Sequence, residues 1–339
     1  VPDLPLTLKV LQLRLKRSFN LSKASAIEKP TVIARYRDGI GEGSPSIHYG
    51  HDAEHVLAVV KAGLAKLKDV DDELVLQAFV DALPDSYNIG RCALNMAFLD
   101  HFAKQRSEPL YRYLDLPHPG KVISSFTVTN GADKEIQEQL EIASAFESLK
   151  IKVGFPGDLH LIDFVLKHGT FRLRLDANGG WNLQEAIERI KSLSGYPIEF
   201  IEQPITDPTL RALDKIKSRV ECTLFLDESV MNIDDVHRFA PVVDGINLKL
   251  SRCGGVLTTI RMAEAARQFG LKLLLGCMVE TAVGITAALH LASLFDCFDL
   301  DAILLTEDDP YWGAHFDGQS LLLPDGNGIG IKLEDEDFV

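Results

Sequence analysis

Between residues 122 and 304 eight short apolar runs recur with amphipathic segments between most of them, and no other feature of the sequence narrows the fold as much. Strand-like runs fall at about 122–128, 148–153, 171–176, 198–202, 222–227, 244–249, 271–276 and 297–304, with helical periodicity between them at 132–146, 158–168, 183–193, 232–239, 255–269 and 281–294. Such alternation makes parallel strands joined by crossover helices. Eight units are enough to close into a ring, so the expected fold is α/β, a (β/α)8 TIM barrel. An open doubly wound sheet competes with it, but that fold wants a glycine-rich phosphate turn after its first strand, and "TVTNGADKE" supplies none.

The flanks read differently. Leu6 to Lys16 roughly alternates as a strand, "TVIARYRDGIGEGSP" adds two short strands around an Asp-Gly turn, and helical periodicity follows at 52–67, 73–82 and 88–106. This opening is a small α+β unit over residues 1–120, the barrel takes 121–305, and the tail 306–339, with its Asp-Gly and Asn-Gly turns, is expected to return to the first unit. The formal charge of −14 argues against nucleic acid, because phosphate binding needs a basic footprint. The first residues hold no apolar run of signal or membrane-spanning length, and the five cysteines are odd in number without a C-x-x-C pair. A reduced, cytoplasmic protein without a membrane partner is expected, and the sequence leaves a homo-oligomer open.

In a barrel the C-terminal ends of the strands carry the chemistry. "RLRLDANGG" ends the third strand with Asp176, "IEFIEQP" the fourth with Glu202 and "TLFLDES" the fifth with Asp227, one βα unit apart each time. Any one of them could be a helix cap or turn former. Three in register would repel strongly unless a cation lies between them, and an all-oxygen set of Asp and Glu suits Mg²⁺. In "SLKIKVG", Lys150 and Lys152 point to one face by the period-two rule, and "DGINLKL" places Lys249 across the barrel axis from them. Buried lysines without partners have lowered pKa values, as a general base requires; the alternative is that they pair with the carboxylates as ions. In "DCFDLDAILL", Asp299 and Asp301 share a strand face and suit a substrate ammonium, or form a solvated strand end, and Asp308 or Asp309 of "TEDDPYW" could stand in for either. His48, His51 and His55 have the spacing of a helical metal site, yet the first two precede the expected helix start, and surface histidines are the simpler reading.

Together these residues resemble the enolase superfamily, in its muconate-lactonising (mandelate racemase/muconate lactonizing enzyme) branch, and among its members the dipeptide epimerases. The elements that match are the K-x-K of Lys150 and Lys152, the D-x-N of Asp176 and Asn178, the "EQP" of Glu202, the "DES" of Asp227, "NLKLSRCGG" around Lys249 and "GCMVET", over nearly the whole chain, with "DGIGEGSP" and "LPDGNGIGI" resembling the capping domain. The resemblance implies an enolase-like, modified barrel under an α+β cap built from both termini. It implies one Mg²⁺ held by Asp176, Glu202 and Asp227, acid/base lysines Lys152 and Lys249 on opposite faces of the substrate, and Lys150 charged beside the substrate carboxylate. A lysine base working with Mg²⁺ is an established pattern of that superfamily.

By the same resemblance, Asp299 and Asp301 match the D-x-D by which dipeptide epimerases hold the free α-amino group, although Ala302 and Ile303 follow where the family has Gly-Pro. Thr127, Cys277 and Met278 are implied to line the pocket wall. The loop 20–28 and the turn "SPSIHYG" are implied to roof it, with Lys23 either facing an acidic side chain or solvated. The activity implied is inversion of the α-carbon of the C-terminal residue of an L,L dipeptide, an isomerase reaction. o-Succinylbenzoate synthase, N-acylamino-acid racemase and muconate cycloisomerase of the same branch are the alternatives. From other classes, a Schiff-base lyase and a non-catalytic binding protein remain.

Overall fold

Alternation in "LTLKVLQLRLKRSFN" and "SAIEKPTVIARY" builds the two long strands β1 (Leu6–Asn20) and β2 (Ser25–Tyr36), which pair antiparallel and continue to β3 (Gly39–Gly43). The computed structural model describes residues 5–20, 25–45, 53–54, 56–57 and 71–332. Lys23 and the histidines at 48, 51 and 55 lie outside the described residues, as does most of the expected helix at 52–67, whose described residues are helical. Helices Glu73–Asp81 and Asn88–Gln105 stand where the periodicity placed them. The second packs on β3, and the alternating glycines of "GIGEG" are what let it: a Cβ at Gly41 or Gly43 would lie 2.1 or 2.0 Å from the carbonyl oxygens of Ala93 and Ile89.

The barrel strands run in sequence order around one parallel sheet: β5 (Phe126–Val128), β6 (Ser148–Lys152), β7 (Arg172–Asp176), β8 (Ile198–Glu202), β9 (Leu224–Leu226), β10 (Gly245–Leu248), β11 (Lys272–Gly276) and β12 (Cys297–Asp299). The backbone N–H of Ser125 donates to the carbonyl of Phe298 at 3.0 Å, which joins the last strand to the first. The fold is the expected (β/α)8 barrel, with an antiparallel sheet as its cap. No helix among the described residues is long and apolar enough to cross a membrane.

Three local expectations need correction. The first strand, expected over 122–128, is two: β4 (Val122–Ile123) pairs antiparallel with the tail hairpin β13 (His315–Asp317) and β14 (Ser320–Leu322), and only β5 enters the barrel. The last strand stops at Asp299, and Ala302–Leu305 forms a helical turn, so Asp301 does not share a strand face with Asp299. Between β8 and β9 the sequence reading named no helix, yet Leu210–Lys217 forms one, capped by Thr209 accepting from the N–H of Ala212. Leu213 and Ile216 bury at helical spacing, a signal that was present in the sequence.

Beyond the hairpin the tail packs beside the N-terminal unit: Asp100 accepts from the N–H of Ile329 at 2.7 Å, and Gly328 accepts from the N–H of Leu110. His290 fastens the same region. Its Nδ1 accepts from the N–H of Tyr111 at 3.1 Å, and its Nε2 lies 3.2 Å from the carbonyl of Ile329, so the neutral ring with its proton on Nε2 serves both. Burial pushes its pKa down to about 4. The stability this neutral ring contributes is present above the unfolded value of about 6.5 and is lost as pH falls toward 4. Wild type is expected to lose about 2 kcal/mol from this group between pH 7.5 and pH 5. Denaturant melts of wild type and His290→Gln at the two pH values check it; equal pH dependence in both would remove His290 as the cause.

Candidate active site

Period two sends Ser148, Lys150 and Lys152 of β6 into the barrel and Leu149 and Ile151 toward the helices. Below the site a small apolar layer of Phe200, Phe225 and Leu274 plugs the barrel. Above it the interior is charged. Asp176 closes β7 and Glu202 closes β8, paired with each other in register, while Asp227 follows β9 directly. All three are fully buried, and one carboxylate oxygen from each lies within 4.8 Å of the others. None of them caps a helix: the side-chain caps following β7, β8 and β9 are Asn182, Thr209 and Asn232.

Turn geometry explains the motifs around the acids. Asn178 adopts a left-handed conformation (φ 44°), which asparagine tolerates, and from there its N–H donates to Asp176 Oδ1 at 3.0 Å. Gln203 is also left-handed (φ 41°). Its Oε1 accepts from the N–H of Asp227 at 3.1 Å, so the "EQP" turn orients the next acid along.

Four cations surround the acids. Lys150, 1% exposed, holds its Nζ 3.1 Å from Asp176 Oδ2, 3.0 Å from Glu202 Oε2 and 2.9 Å from Asp299 Oδ2. Lys152 donates to Asp176 Oδ2 at 2.7 Å and to Asn178 Oδ1 at 3.1 Å. Lys249, which follows β10, donates to Asp227 Oδ2 at 2.9 Å, and Arg252 donates to the other oxygen of Asp227. β6 and β10 are four strands apart in a ring of eight, so Lys152 and Lys249 approach from opposite sides. The lowered lysine pKa expected from the sequence is not found: burial acts to lower Lys150 and Lys249, but their carboxylate neighbours raise both above the usual value.

The acids divide. Burial opposes ionisation of Asp176, but Lys150 and Lys152 hold it down at about 2; burial likewise opposes Asp227, which Arg252 and Lys249 hold well below the usual range. Glu202 is pushed up to about 7 by burial and by Asp176. Its Oε2 accepts no hydrogen bond of good geometry even though Lys150 is 3.0 Å away. A buried carboxylate oxygen with a lone pair to spare, in an all-oxygen triad of this size, fits a hard divalent cation.

Asp299 and Asp301 both line the pocket. Ser125 Oγ donates to Asp299 Oδ1 at 2.9 Å, and the N–H of Thr127 donates to Asp301 Oδ2 at 2.6 Å. Burial and the nearby Asp299 raise Asp301 to about 7. Thr127, Cys277, Met278 and Asn178 line the same pocket as the three lysines. Asp308 and Asp309 do not: they accept from the N–H groups of Arg14 and Ala282.

Sequence reasoning missed three groups. Asn247 donates to Glu202 Oε1 at 2.8 Å, and its place two residues before Lys249 was a readable sign that it points inward. Glu228, raised to about 8 by burial and by Asp227, sat unremarked inside "DES". Arg252 comes from the helical turn Leu250–Cys253, and no periodicity announces that it folds back onto Asp227.

The pattern of the family described as "Enolase C-terminal domain-like" matches residues 134–337. The chain belongs to the enolase superfamily. A hydrophobic dipeptide epimerase of Roseobacter litoralis is 37% identical over 251 residues, 71% of this chain and 72% of that protein. The dipeptide epimerase of Enterococcus faecalis, solved with Mg and L-Leu-L-Tyr, superposes with a TM-score of 0.90 at 26% identity over 98% of this chain and all (100%) of that one. That of Cytophaga hutchinsonii, solved with Mg and D-Ala-L-Val, gives 0.91 at 25% identity over 98% and 96%. Such superfamily relatives are isomerases, and this chain is an isomerase with them.

Proposed function

We propose that the chain is a Mg²⁺-dependent dipeptide epimerase that inverts the α-carbon of the C-terminal residue of an L,L dipeptide by 1,1-proton transfer between two lysines. The observation that carries this reading is the opposition of Lys152 and Lys249 across a triad of buried carboxylates, with the Asp299–Asp301 pair in the same pocket. Dipeptides accompany Mg in the solved relatives, which supports the same substrate class here.

Asp176, Glu202 and Asp227 would hold the cation, with Asn178 and Asn247 fixing Lys152 and Glu202 around it. Mg²⁺ there would supply positive charge next to the substrate carboxylate, whose α-proton is otherwise too weakly acidic to remove. Lys150, made strongly cationic by its acidic neighbours, stays protonated and offsets the charge of the enolate. One of Lys152 and Lys249 removes the α-proton from one face, the other returns a proton to the opposite face, and the reverse reaction exchanges their roles. Asp299 and Asp301 take the α-ammonium of the first residue.

A screen of L,L dipeptides in D₂O with Mg²⁺, read as mass gain, tests the reading; deuterium is expected at the second residue's α-carbon only. Asp299→Asn is expected to cost dipeptides about 10- to 100-fold in kcat/KM, the range of one charge-assisted hydrogen bond, while sparing N-acyl amino acids. Equal losses would favour the N-acylamino-acid racemase reading, and a borohydride-trapped substrate adduct with activity surviving chelation would favour the Schiff-base lyase.

A further inference from the structure

The cap sheet turns one face to the barrel mouth, and the strand register decides which side chains it offers there. Leu13 lies directly across from Lys29 between β1 and β2, so both side chains leave the sheet on the same side. Leu13 is buried in a cluster with Leu15, Val279 and Leu305, and the last two follow β11 and β12, which identifies that side as the one over the pocket. Thr31, two residues along from Lys29, is buried on the same side and donates to Glu42 Oε1 at 2.7 Å. Lys29 accordingly lines the pocket with Lys150, Lys152, Lys249, Asp299 and Asp301.

It differs from the other three lysines in one respect. Each of those holds a carboxylate between 2.7 and 3.1 Å away, whereas Lys29 makes no hydrogen bond or ion pair with any described residue. Burial lowers its pKa, with no carboxylate among the described residues opposing. A partly desolvated ammonium without a counter-charge among the described residues is a cost that a ligand anion can offset. A simple dipeptide has no such anion left over. In the epimerase reading its ammonium is matched by Asp299 and Asp301, and its α-carboxylate by the cation site and Lys150. A further cation in the pocket is matched by a further anion, and in a dipeptide that is a side-chain carboxylate. Pro45, Met278, Val279 and Leu305 offer an apolar wall for the methylenes that carry it.

We propose that Lys29 is a specificity-determining residue that selects dipeptides bearing an acidic side chain. This rests on the epimerase reading. The acid could belong to either residue of the dipeptide, and the test separates the two by pairing each acidic substrate with its uncharged amide isostere. Solvent deuterium incorporation is measured for L-Ala-L-Glu against L-Ala-L-Gln, and for L-Glu-L-Ala against L-Gln-L-Ala, with Mg²⁺-loaded wild type and Lys29→Arg, Lys29→Met and Lys29→Glu.

Wild type is expected to favour the acid about 10- to 100-fold in kcat/KM in one of the two pairs, as a charge-assisted hydrogen bond gives. Lys29→Arg keeps the preference, Lys29→Met brings the ratio near one, and Lys29→Glu inverts it. The ratio is the readout because a displaced cap slows acid and amide alike. An absent preference in wild type, or one that survives Lys29→Met, overturns the proposal while the epimerase reading stands. Turnover of no dipeptide by wild type overturns both.

Discussion

Chelation of divalent cations is expected to lower turnover by about three orders of magnitude or more, and added Mg²⁺ to restore it, because the contact it removes stabilises charge that develops only in the transition state. Asp176, Glu202 and Asp227 are fully buried and bring an oxygen each within 4.8 Å of one another. Burial and, after it, the neighbouring Asp176 push Glu202 up to about 7, since buried anions this close repel. A cation among them relieves that strain, so Mg²⁺ is expected to raise the melting temperature as well as the rate, by about 2.7 kcal/mol of added stability at a hundredfold excess over its Kd. Glu202→Gln keeps the side-chain shape and the contact to Lys150 while removing one anion. It is expected to stay folded and to lose both the activity and the Mg²⁺-dependent stabilisation. Undiminished turnover in chelator, with melting indifferent to Mg²⁺, would mean that the three acids serve only as ion partners of the lysines.

The parts of this site that were legible in the sequence are those that local periodicity controls. A strand ending in Asp or Glu one βα unit after another fixes where the acids must converge, and the two-residue spacing of Lys150 and Lys152 fixes their common face. Residues that arrive by long-range packing were not legible. Glu42 accepts from the N–H of Thr281, 239 positions away, and Ser44 reaches Ser251 across 207, contacts that seat the cap on the barrel without any local pattern to announce them. Lys29 belongs with these, since only the register across from Leu13 shows which way it faces. Asp301 was placed in the pocket by a strand argument that fails, because the chain leaves β12 at Asp299; the short turn that follows brings it back to the N–H of Thr127. The pKa values of Lys150 and Lys249 rise instead of falling for a related reason. Burial alone lowers a lysine, and the sequence could not show that each lysine buries against an acid.

Lys152→Ala and Lys249→Ala are each expected to abolish epimerisation, by about 10³-fold or more at the upper end of what a positioned acid or base contributes, and yet to leave half of the proton chemistry intact. The two lysines come from β6 and β10, diametrically placed in the barrel, and each is held by its own acid, Asp176 or Asp227. In the proposed two-lysine reaction, an α-hydrogen on one face of the substrate is within reach of one lysine only. With the other lysine removed, that hydrogen can still be taken and replaced from solvent on the same side, so one epimer exchanges its α-hydrogen for deuterium without inverting. The two variants should therefore be complementary: the epimer that one exchanges is the epimer that the other leaves untouched. Misfolding or a lost cation site cannot produce that asymmetry, since either would silence exchange in both epimers together. Proton NMR of each purified epimer in D₂O with each variant reads the result. Exchange of the same epimer by both variants would place the two amines on one side of the substrate, and inversion at an undiminished rate in either would take that lysine out of the reaction.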